Sequence, residues 1–331
     1  MQDAALLSVT DLSVQFKTPR GLVNAVNAVS FELQAGRTLC IVGESGSGKS
    51  VTAMSLMRLL PQATTRLTEG SVLLEGRDLT QLRERDLEAV RGRDIAIIFQ
   101  DPMSALNPVL TIGRQVTEPL RLHLGMSRAA AYERAVELMG LVGMPSPEQT
   151  LARYPHQLSG GQRQRIAIAM ALTCNPKVVI ADEPTTALDV TTQAQILQLL
   201  RDLRTRLGMA VILITHDLGV VAEFADDVLV MYCGRVVERG PVAEIFNAPR
   251  HPYTQGLLAS IPPFSDEGSE RLSAIVGSVP SPFEMPPGCA FAPRCPLAGE
   301  DCTQVQPPLR ACGPSHVAAC LRIPQWEAAH D

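Results

Sequence analysis

The 331-residue sequence lacks an excess of positive charge and lacks any apolar run long enough to cross a membrane. Its formal net charge is −5 at pH 7, which provides no basic field to attract nucleic acid. Its strongly apolar runs, such as residues 178–181 and 209–214, have the length of strands, whereas a membrane-spanning helix needs about 20 apolar residues. We therefore expect no transmembrane segment, and a nucleic-acid partner is disfavoured.

The amino-terminal residues also lack the basic and apolar segments of a secretory signal, so we expect the chain to stay in the cytosol. Disulfides are disfavoured in that reducing compartment. The sequence nevertheless contains eight cysteines. Three are scattered among apolar neighbours, where a cysteine is usually a small core residue, and five crowd toward the carboxyl end. The scattered cysteines are Cys40, Cys174 and Cys233, and the crowded ones are Cys289, Cys295, Cys302, Cys312 and Cys320.

The residues from 7 to about 240 alternate β-rich runs with helical stretches, which is typical of an α/β fold with a parallel sheet covered by helices. Between about 111 and 171 the strand-like runs stop and helical segments take over, which predicts an inserted helical subdomain. From 241 to 331 the sequence becomes rich in proline and glycine, which predicts an irregular extension rather than a second core. We therefore expect two domains, residues 1–240 and 241–331.

A glycine-rich loop, Gly-Glu-Ser-Gly-Ser-Gly-Lys-Ser at residues 43–50, follows an apolar strand and precedes a helical run at 51–60. Glycines let backbone N–H groups curl around phosphate oxygens, and the following helix adds its dipole. Lys49 is expected to reach the β- and γ-phosphates, and the Ser50 hydroxyl to bind Mg²⁺. The residues expected to contact the nucleotide are Gly43, Ser45, Gly46, Ser47, Gly48, Lys49, Ser50 and Val51.

Two adjacent carboxylates, Asp182 and Glu183, end the apolar strand at 178–181. Asp182 is placed to hold Mg²⁺, and Glu183 to polarise the water that attacks the γ-phosphate. Two acids at a strand end are by themselves more often a solvated turn. The upstream glycine-rich loop and the following segment at 184–189 favour the catalytic interpretation.

Gln100 and His216 also follow strand-like runs, at 95–99 and 211–214. Gln100 begins a linker with prolines at both ends, and there it can touch the metal or the attacking water. His216 is expected at the sheet edge where open α/β sheets bind ligands, in reach of a γ-phosphate.

The segment Leu-Ser-Gly-Gly-Gln at residues 158–162 precedes a helix predicted at 162–172. Small residues at a helix start let a phosphate approach the backbone N–H donors closely. Because the segment lies in the inserted subdomain, it is expected to bind ATP held by another chain. Its contact residues are Ser159, Gly160, Gly161 and Gln162.

Together these motifs resemble the ATP-binding subunit of an ATP-binding cassette (ABC) transporter. The resemblance implies ATP and Mg²⁺ as ligands, and a P-loop fold with an antiparallel β-subdomain and an inserted helical subdomain. In the family's terms the motifs are the Walker A loop at 43–50, the Q-loop at Gln100, the signature at 158–162, the Walker B end at Asp182 and Glu183, the D-loop at Asp189 and the switch His216.

Several segments resemble the narrower branch of dipeptide, oligopeptide and nickel importers. This likeness implies a heterodimer with a paralogous ATPase, two membrane permeases and an extracytoplasmic binding protein. The chain would then sit peripherally on the cytoplasmic face of the inner membrane. Import of nickel chelates or glutathione-like compounds remains an alternative to peptides; an exporter ATPase or a soluble non-transport ABC protein is disfavoured. The matching segments are residues 43–50, 99–108, 181–189, 232–240, 251–258 and 288–320.

Two further assignments follow from the resemblance. ABC ATPases stack adenine on an aromatic residue upstream of Walker A, and Phe16 is the candidate, although it could equally be an ordinary strand residue. The tail, with Gly-Cys-Ala-Phe-Ala-Pro-Arg-Cys-Pro at 288–296, implies a [4Fe–4S] cluster; a zinc site and unligated thiols stay open. Cys312 is expected to stand outside the ligand set, which comprises Cys289, Cys295, Cys302 and Cys320.

Overall fold

The computed structural model describes residues 5–186, 188–260 and 275–323, so the predicted extension at 241–331 lies partly outside them. The strands are β1 Leu7–Thr18, β2 Gly21–Leu33, β3 Thr38–Val42, β4 Thr65–Leu74, β5 Arg77–Asp78, β6 Ile95–Ile98, β7 Val178–Asp182, β8 Ala210–Ile214, β9 Asp227–Tyr232, β10 Arg235–Pro241, β11 Arg310–Ala311 and β12 Val317–Ala318. The helices are α1 Lys49–Leu56, α2 Glu84–Glu88, α3 Pro102–Ala105, α4 Ile112–Leu124, α5 Arg128–Leu141, α6 Pro147–Leu151, α7 Gly160–Ala171, α8 Val190–Leu207, α9 Leu218–Phe224, α10 Val242–Asn247, α11 Pro252–Ala259 and α12 Glu300–Gln304, with 3-10 turns at Pro155–Gln157 and Ala292–Arg294. Within the described residues, no helix combines the length and apolar character that a membrane span requires.

The chain forms two compact units, and the first comprises mainly Leu33–Arg37 and Gln81–Ile214. Its sheet has the order β6-β7-β8 with parallel pairing. The five residues of β7 and the five of β8 are all buried, which explains their continuous apolar sequence, because a parallel sheet is covered on both faces. Asp182 ends β7 and thereby carries a carboxylate to the carboxyl edge of this sheet.

The helical part of the first unit covers α3 to α7 and contains no strand between residues 99 and 177, all of which are described. Local side-chain caps fix two of its helix starts. The Thr111 hydroxyl accepts from the Arg114 N–H to begin α4, and the Ser127 hydroxyl accepts from the Ala130 N–H to begin α5. Apolar side chains spaced along α4 are fully buried, as an amphipathic helix requires; they are Ile112, Val116 and Leu120.

The second unit comprises Leu7–Glu32, Thr38–Thr80 and the described residues from Thr215 onward. One of its sheets has the order β2-β1-β4-β5. Strand β1 pairs antiparallel with β4, from Leu7 opposite Leu74 to Phe16 opposite Thr65. These strands form the antiparallel β-subdomain that the resemblance implies.

The other sheet of the second unit has the order β3-β9-β10-β12-β11. Strand β3 runs parallel to β9, and β9 turns back into β10 through Cys233 and Gly234, both with positive φ. Strand β12 then pairs with β10, with Val317 opposite Arg239. The carboxyl-terminal extension is thus irregular for most of its described length, yet its last strands continue this sheet.

Aromatic packing also attaches the extension to the second unit. The ring of Phe291 lies 5.4 Å from the ring of Tyr232 and 5.4 Å from that of Tyr253, measured between centroids. All three side chains are almost completely buried. Large aromatic side chains dominate core energetics because each removes about 150–250 Å² from water. The extension therefore packs a small aromatic cluster against Tyr232 of β9, which the expectation of an irregular extension did not include.

A buried acid stands where the extension meets β10. Glu238 is 0% exposed, and its carboxylate accepts from the backbone N–H groups of Arg250 (2.6 Å) and His251 (2.9 Å). The ring of His316, also 0% exposed, places Nε2 at 2.7 Å from Glu238 Oε1. Its Nδ1 lies 3.2 Å from Glu244, a half-exposed acid of α10. The carboxylate thus contacts two neighbouring backbone N–H groups of one segment and the imidazole of another.

Candidate functional site

The glycine-rich loop connects β3 to α1 in the second unit, and its backbone requires glycine. Gly43, Gly46 and Gly48 have φ of +150°, +79° and +100°, values that residues with a side chain rarely adopt. A Cβ on Gly43 would meet the Met231 carbonyl oxygen at 2.2 Å. Glycine at residue 43 therefore lets the loop backbone pack closely against Met231 of β9, and the amide groups of the loop can face an anion.

Lys49 lies across this loop. Its side chain is largely buried, and its Nζ donates to the carbonyl oxygens of Gly43 (2.8 Å) and Glu44 (3.0 Å). Ser50 and Val51 follow in the first turn of α1, so the helix begins two residues earlier than the predicted run at 51–60. The ammonium group is thereby held by the loop that is predicted to receive phosphates.

The other predicted contacts in the loop differ in exposure. Ser45 and Gly46 are exposed, whereas Ser47 is buried. The Ser47 hydroxyl has no hydrogen-bond partner among the described residues. A buried polar atom without a partner is costly unless a ligand or water satisfies it, so the loop fits an oxygen-rich ligand such as a nucleotide phosphate.

Gln100, Asp182 and Glu183 lie together in the first unit. Asp182 is buried at the end of β7, and Glu183 follows with φ of +46°, a strained value for a residue with a side chain. The Gln100 side-chain amide donates to Glu183 Oε2 at 2.9 Å, and the Thr186 hydroxyl donates to the same oxygen at 2.9 Å. Sequence reasoning predicted the three residues separately, but not this direct bond between Gln100 and Glu183.

The linker after Gln100 contains one short helix, α3. The Asp101 carboxylate accepts from the Met103 N–H, and Pro102 occupies the first helical position, where a missing N–H has no cost. The linker therefore contains a single helical turn, and no helix runs through it. Gln100 itself remains at the junction between β6 and this turn.

The segment at 158–162 forms the start of α7, which begins at Gly160 rather than at the predicted residue 162. Ser159 and Gln162 make a capping box: the Gln162 N–H donates to the Ser159 hydroxyl at 3.3 Å, and the Ser159 N–H donates to the Gln162 side chain at 3.1 Å. The Ser-x-x-Gln pattern was a signal for this start. The two glycines become the first helical residues, as suits a close approach by a phosphate.

Asp189 begins α8 in the same unit. Its carboxylate accepts from the N–H (2.9 Å) and hydroxyl (2.7 Å) of Thr192, and these bonds lower the pKa of Asp189. Thr192 also lies against the signature, because a Cβ on Gly161 would meet its methyl group at 2.9 Å. The structure thus gives Asp189 a helix-capping role and places the D-loop beside the signature.

His216 and Phe16 belong to the second unit. His216 is exposed, directly before Asp217, whose carboxylate caps α9 by accepting from the Gly219 and Val220 N–H groups. Phe16 lies near the end of β1 and is half-buried, which does not distinguish adenine stacking from a role in the sheet.

The cysteines separate into two groups, and all eight are free thiols. Cys40 and Cys174 are buried, as predicted for core residues, whereas Cys233 is half-buried at the β9–β10 turn. Cys312 stands apart from the other tail thiols, and its S–H donates to the His316 carbonyl oxygen at 3.4 Å. The remaining four line one small cavity of the second unit together with His251 and Arg322; they are Cys289, Cys295, Cys302 and Cys320.

The cavity raises the pKa of two of these thiols. Burial is the main cause for both Cys289 and Cys295, and the charges of neighbouring cysteines add to it. Among the described residues, no group of three or more His, Cys, Asp or Glu is placed so that it could hold a metal ion.

Two family models match the chain. Residues 26–186 match the ABC transporter model, and residues 237–302 match the C-terminal region of oligopeptide/dipeptide transporters. A putative peptide import ATP-binding protein of Brucella melitensis is 53% identical over 327 residues, which cover 99% of this chain and 98% of the relative. An oligopeptide transport ATP-binding protein of Bacillus subtilis is 52% identical over 92% of this chain and 93% of its own length.

Solved structures confirm the predicted fold class. An ATP-binding cassette solved as a dimer in a post-hydrolysis state with ADP and phosphate matches 71% of this chain with a TM-score of 0.64 and 31% identity, over 98% of its own length. The subunit cbiO1 of a Clostridium perfringens ABC transporter complex matches 74% of this chain with a TM-score of 0.62 and 27% identity, over 92% of its own length. The chain therefore belongs to the ATP-hydrolysing subunits of ABC importers, in the oligopeptide/dipeptide branch.

Proposed function

We propose that this subunit drives uptake of dipeptides or oligopeptides through membrane permeases, as a heterodimer with a paralogous ATPase. The whole-chain identity to relatives named for peptide import and oligopeptide transport carries the proposal, because it includes the region at 237–302 as well as the cassette. The chain would bind peripherally at the cytoplasmic face of the membrane and would receive its substrate through an extracytoplasmic binding protein.

In this proposal each of the predicted site residues has its own task in ATP hydrolysis. Lys49 would neutralise the β- and γ-phosphates, and the loop N–H groups would hold the remaining phosphate oxygens. Mg²⁺ would be bound by Ser50, Gln100 and Asp182, and would supply charge neutralisation when present. The carboxylate of Glu183 would accept a proton from the attacking water, and His216 would contact the γ-phosphate.

The signature would complete the site of the paralogous ATPase. Ser159, Gly160 and Gly161 begin α7, so their backbone groups stand at the positive end of the helix dipole. The related cassette with ADP and phosphate is a dimer, which supports pairing of two chains. This chain would therefore contain halves of two ATP sites and would hydrolyse ATP poorly by itself.

Reconstitution tests the proposal. The chain is co-expressed with a paralogous ATPase and permeases of the peptide-importer type, and the purified complex is placed in vesicles with a binding protein. We expect ATP hydrolysis to rise when a peptide-loaded binding protein is added, and labelled peptide to accumulate only with ATP. Stimulation by nickel chelates or glutathione but not by peptides would show that the transported substrate is not a peptide. Failure of the chain to co-purify with any membrane permease would contradict an import function.

We further propose that Cys289, Cys295, Cys302 and Cys320 bind a [4Fe–4S] cluster, which when present would tie four points of the extension together. Two observations support it: all four line one cavity, and Cys312 does not. A cluster has four iron atoms at separate corners, so its ligands need not converge on one point as they do around zinc.

Iron analysis after anaerobic purification tests the cluster. We expect about four iron and four sulfide per chain and the brown colour of an iron–sulfur protein. Cys295→Ser should lose most of the iron, whereas Cys312→Ser, changed in the same tail, should keep it. A colourless, iron-free protein with full transport activity would rule the cluster out.

A further inference from the structure

Glu44, the second residue of the phosphate-binding loop, is held by the carboxyl-terminal extension. Its carboxylate forms two parallel bonds with Arg294: Nη1 to Oε2 at 2.6 Å and Nη2 to Oε1 at 3.0 Å. Its N–H donates to the Tyr253 hydroxyl oxygen at 2.8 Å. Its carbonyl oxygen accepts from Lys49 Nζ at 3.0 Å. Glu44 thus connects Arg294 and Tyr253 of the extension to Lys49 of the phosphate-binding loop.

Arg294 is itself fixed in place. Its side chain is 4% exposed, and its guanidinium also donates to the Tyr232 hydroxyl at 3.2 Å and to the carbonyl oxygens of Ile275 (3.3 Å) and Val276 (3.2 Å). A planar guanidinium that binds a carboxylate through two bonds fixes both distance and orientation. The pair is therefore a rigid link rather than a loose surface contact.

The charge of Glu44 makes this link important for nucleotide binding. The carboxylate stands in a loop that must receive a triphosphate, and like charges at short distance repel strongly where water is partly excluded. Arg294 neutralises the carboxylate and, by binding both of its oxygens, directs it into the extension. Without Arg294, the loop would carry an uncompensated negative charge at Glu44.

We propose that Arg294 and Tyr253 are positioning residues for ATP binding that act through Glu44. Arg294 cancels the charge of the Glu44 carboxylate, and both residues fix the position of Glu44, whose carbonyl oxygen accepts from Lys49. The proposal rests on the ATP binding of the family and is independent of which substrate is transported. It gives the extension a direct part in the nucleotide site of its own chain.

Nucleotide affinity of the full-length chain tests the proposal, with a fluorescent ATP analogue and Mg²⁺ as the probe. We expect Arg294→Gln to weaken ATP-analogue binding about tenfold, which is the effect expected from the loss of one charge-assisted interaction. Glu44→Gln, which removes the repelling charge itself, should stay within about threefold of wild type. The double variant Glu44→Gln/Arg294→Gln should return to within about threefold of wild type, because residue 44 then carries no negative charge that needs neutralising.

This recovery separates positioning from mere structural support, since a second substitution in a damaged core would not restore affinity. Arg310→Gln, an exposed arginine of the same extension, is the matched control and should bind as wild type does. Lys49→Ala should bind no probe, which shows that the probe reports on this loop. Wild-type affinity for Arg294→Gln, or a double variant as weak as Arg294→Gln, would overturn the proposal.

Two milder variants keep the test decisive if Arg294→Gln does not fold. Tyr253→Phe retains the packed ring but removes the oxygen that accepts from the Glu44 N–H, and we expect about threefold weaker binding. Arg294→Lys keeps the charge but loses the two-bond geometry, so its affinity should fall between wild type and a tenfold loss. Unchanged affinity in both variants, with unchanged thermal stability, would contradict the proposed role.

Discussion

Replacing Glu183 with glutamine is expected to reduce ATP hydrolysis by the assembled complex at least about a hundredfold, while nucleotide binding survives. The amide has the shape of the carboxylate but cannot accept the proton of the attacking water. The bonds from Gln100 and Thr186 to Glu183 Oε2 orient the carboxylate before a nucleotide arrives. The turnover number and the affinity for a fluorescent ATP analogue measure the two effects separately.

Thr186→Ala is the matched control for this prediction. It removes one of the two hydrogen bonds to Glu183 but leaves the carboxylate in place, so we expect a loss of turnover much smaller than that of Glu183→Gln. Hydrolysis that remains undiminished in Glu183→Gln would show that the other composite site of the complex performs the chemistry.

Much of the nucleotide loop could be predicted from sequence because its signals are local. The order of strand, glycines, lysine and helix at residues 39–56 follows from glycine φ angles and helix-start chemistry. The start of α7 was missed by two residues, although Ser159 and Gln162 form a recognisable capping pair. A local rule existed there, and the helix prediction had not used it.

The contacts that couple distant segments could not be predicted in this way. Arg294 and Glu44 lie 250 positions apart, and no sequence pattern around either residue predicts its contact with the other. The two-residue strands β11 and β12 are too short to show any periodicity, and they form because β10 offers an edge. Such features depend on tertiary packing rather than on local propensity.

Removing the imidazole of His316 is expected to destabilise the second unit by about 3–5 kcal/mol. In His316→Phe the ring shape is kept, but the fully buried Glu238 loses the ring nitrogen at 2.7 Å. Loss of its partner by a buried charge destabilises the folded protein several times more than the same loss by an exposed charge. The thermal midpoint, followed by circular dichroism, should fall by on the order of 10 °C.

Glu244→Gln provides the control, because Glu244 contacts the same imidazole at 3.2 Å but its side chain is 40% exposed. Exposed pairs contribute about 0–1 kcal/mol, so the thermal midpoint of this variant should change little. Equal losses in Glu244→Gln and His316→Phe would contradict the argument from burial. They would indicate that the contact of the imidazole with Glu244 contributes as much as its contact with Glu238.

The pH dependence of this loss of stability is a second, independent test of the role of Glu238. Burial raises the pKa of Glu238, but hydrogen bonds from His316 and from the backbone outweigh it, so the pKa lies below its ordinary value. A depressed folded-state pKa stabilises the protein above the unfolded-state pKa, and that contribution disappears as the pH falls through the folded value. In His316→Phe the largest of the pKa-lowering bonds is gone, so the pKa of Glu238 should rise relative to wild type. The difference in stability between wild type and variant should therefore be largest at neutral pH and shrink in mild acid, where Glu238 can take up a proton. A difference that stays constant over this range would show that the charge of Glu238 is not its cause.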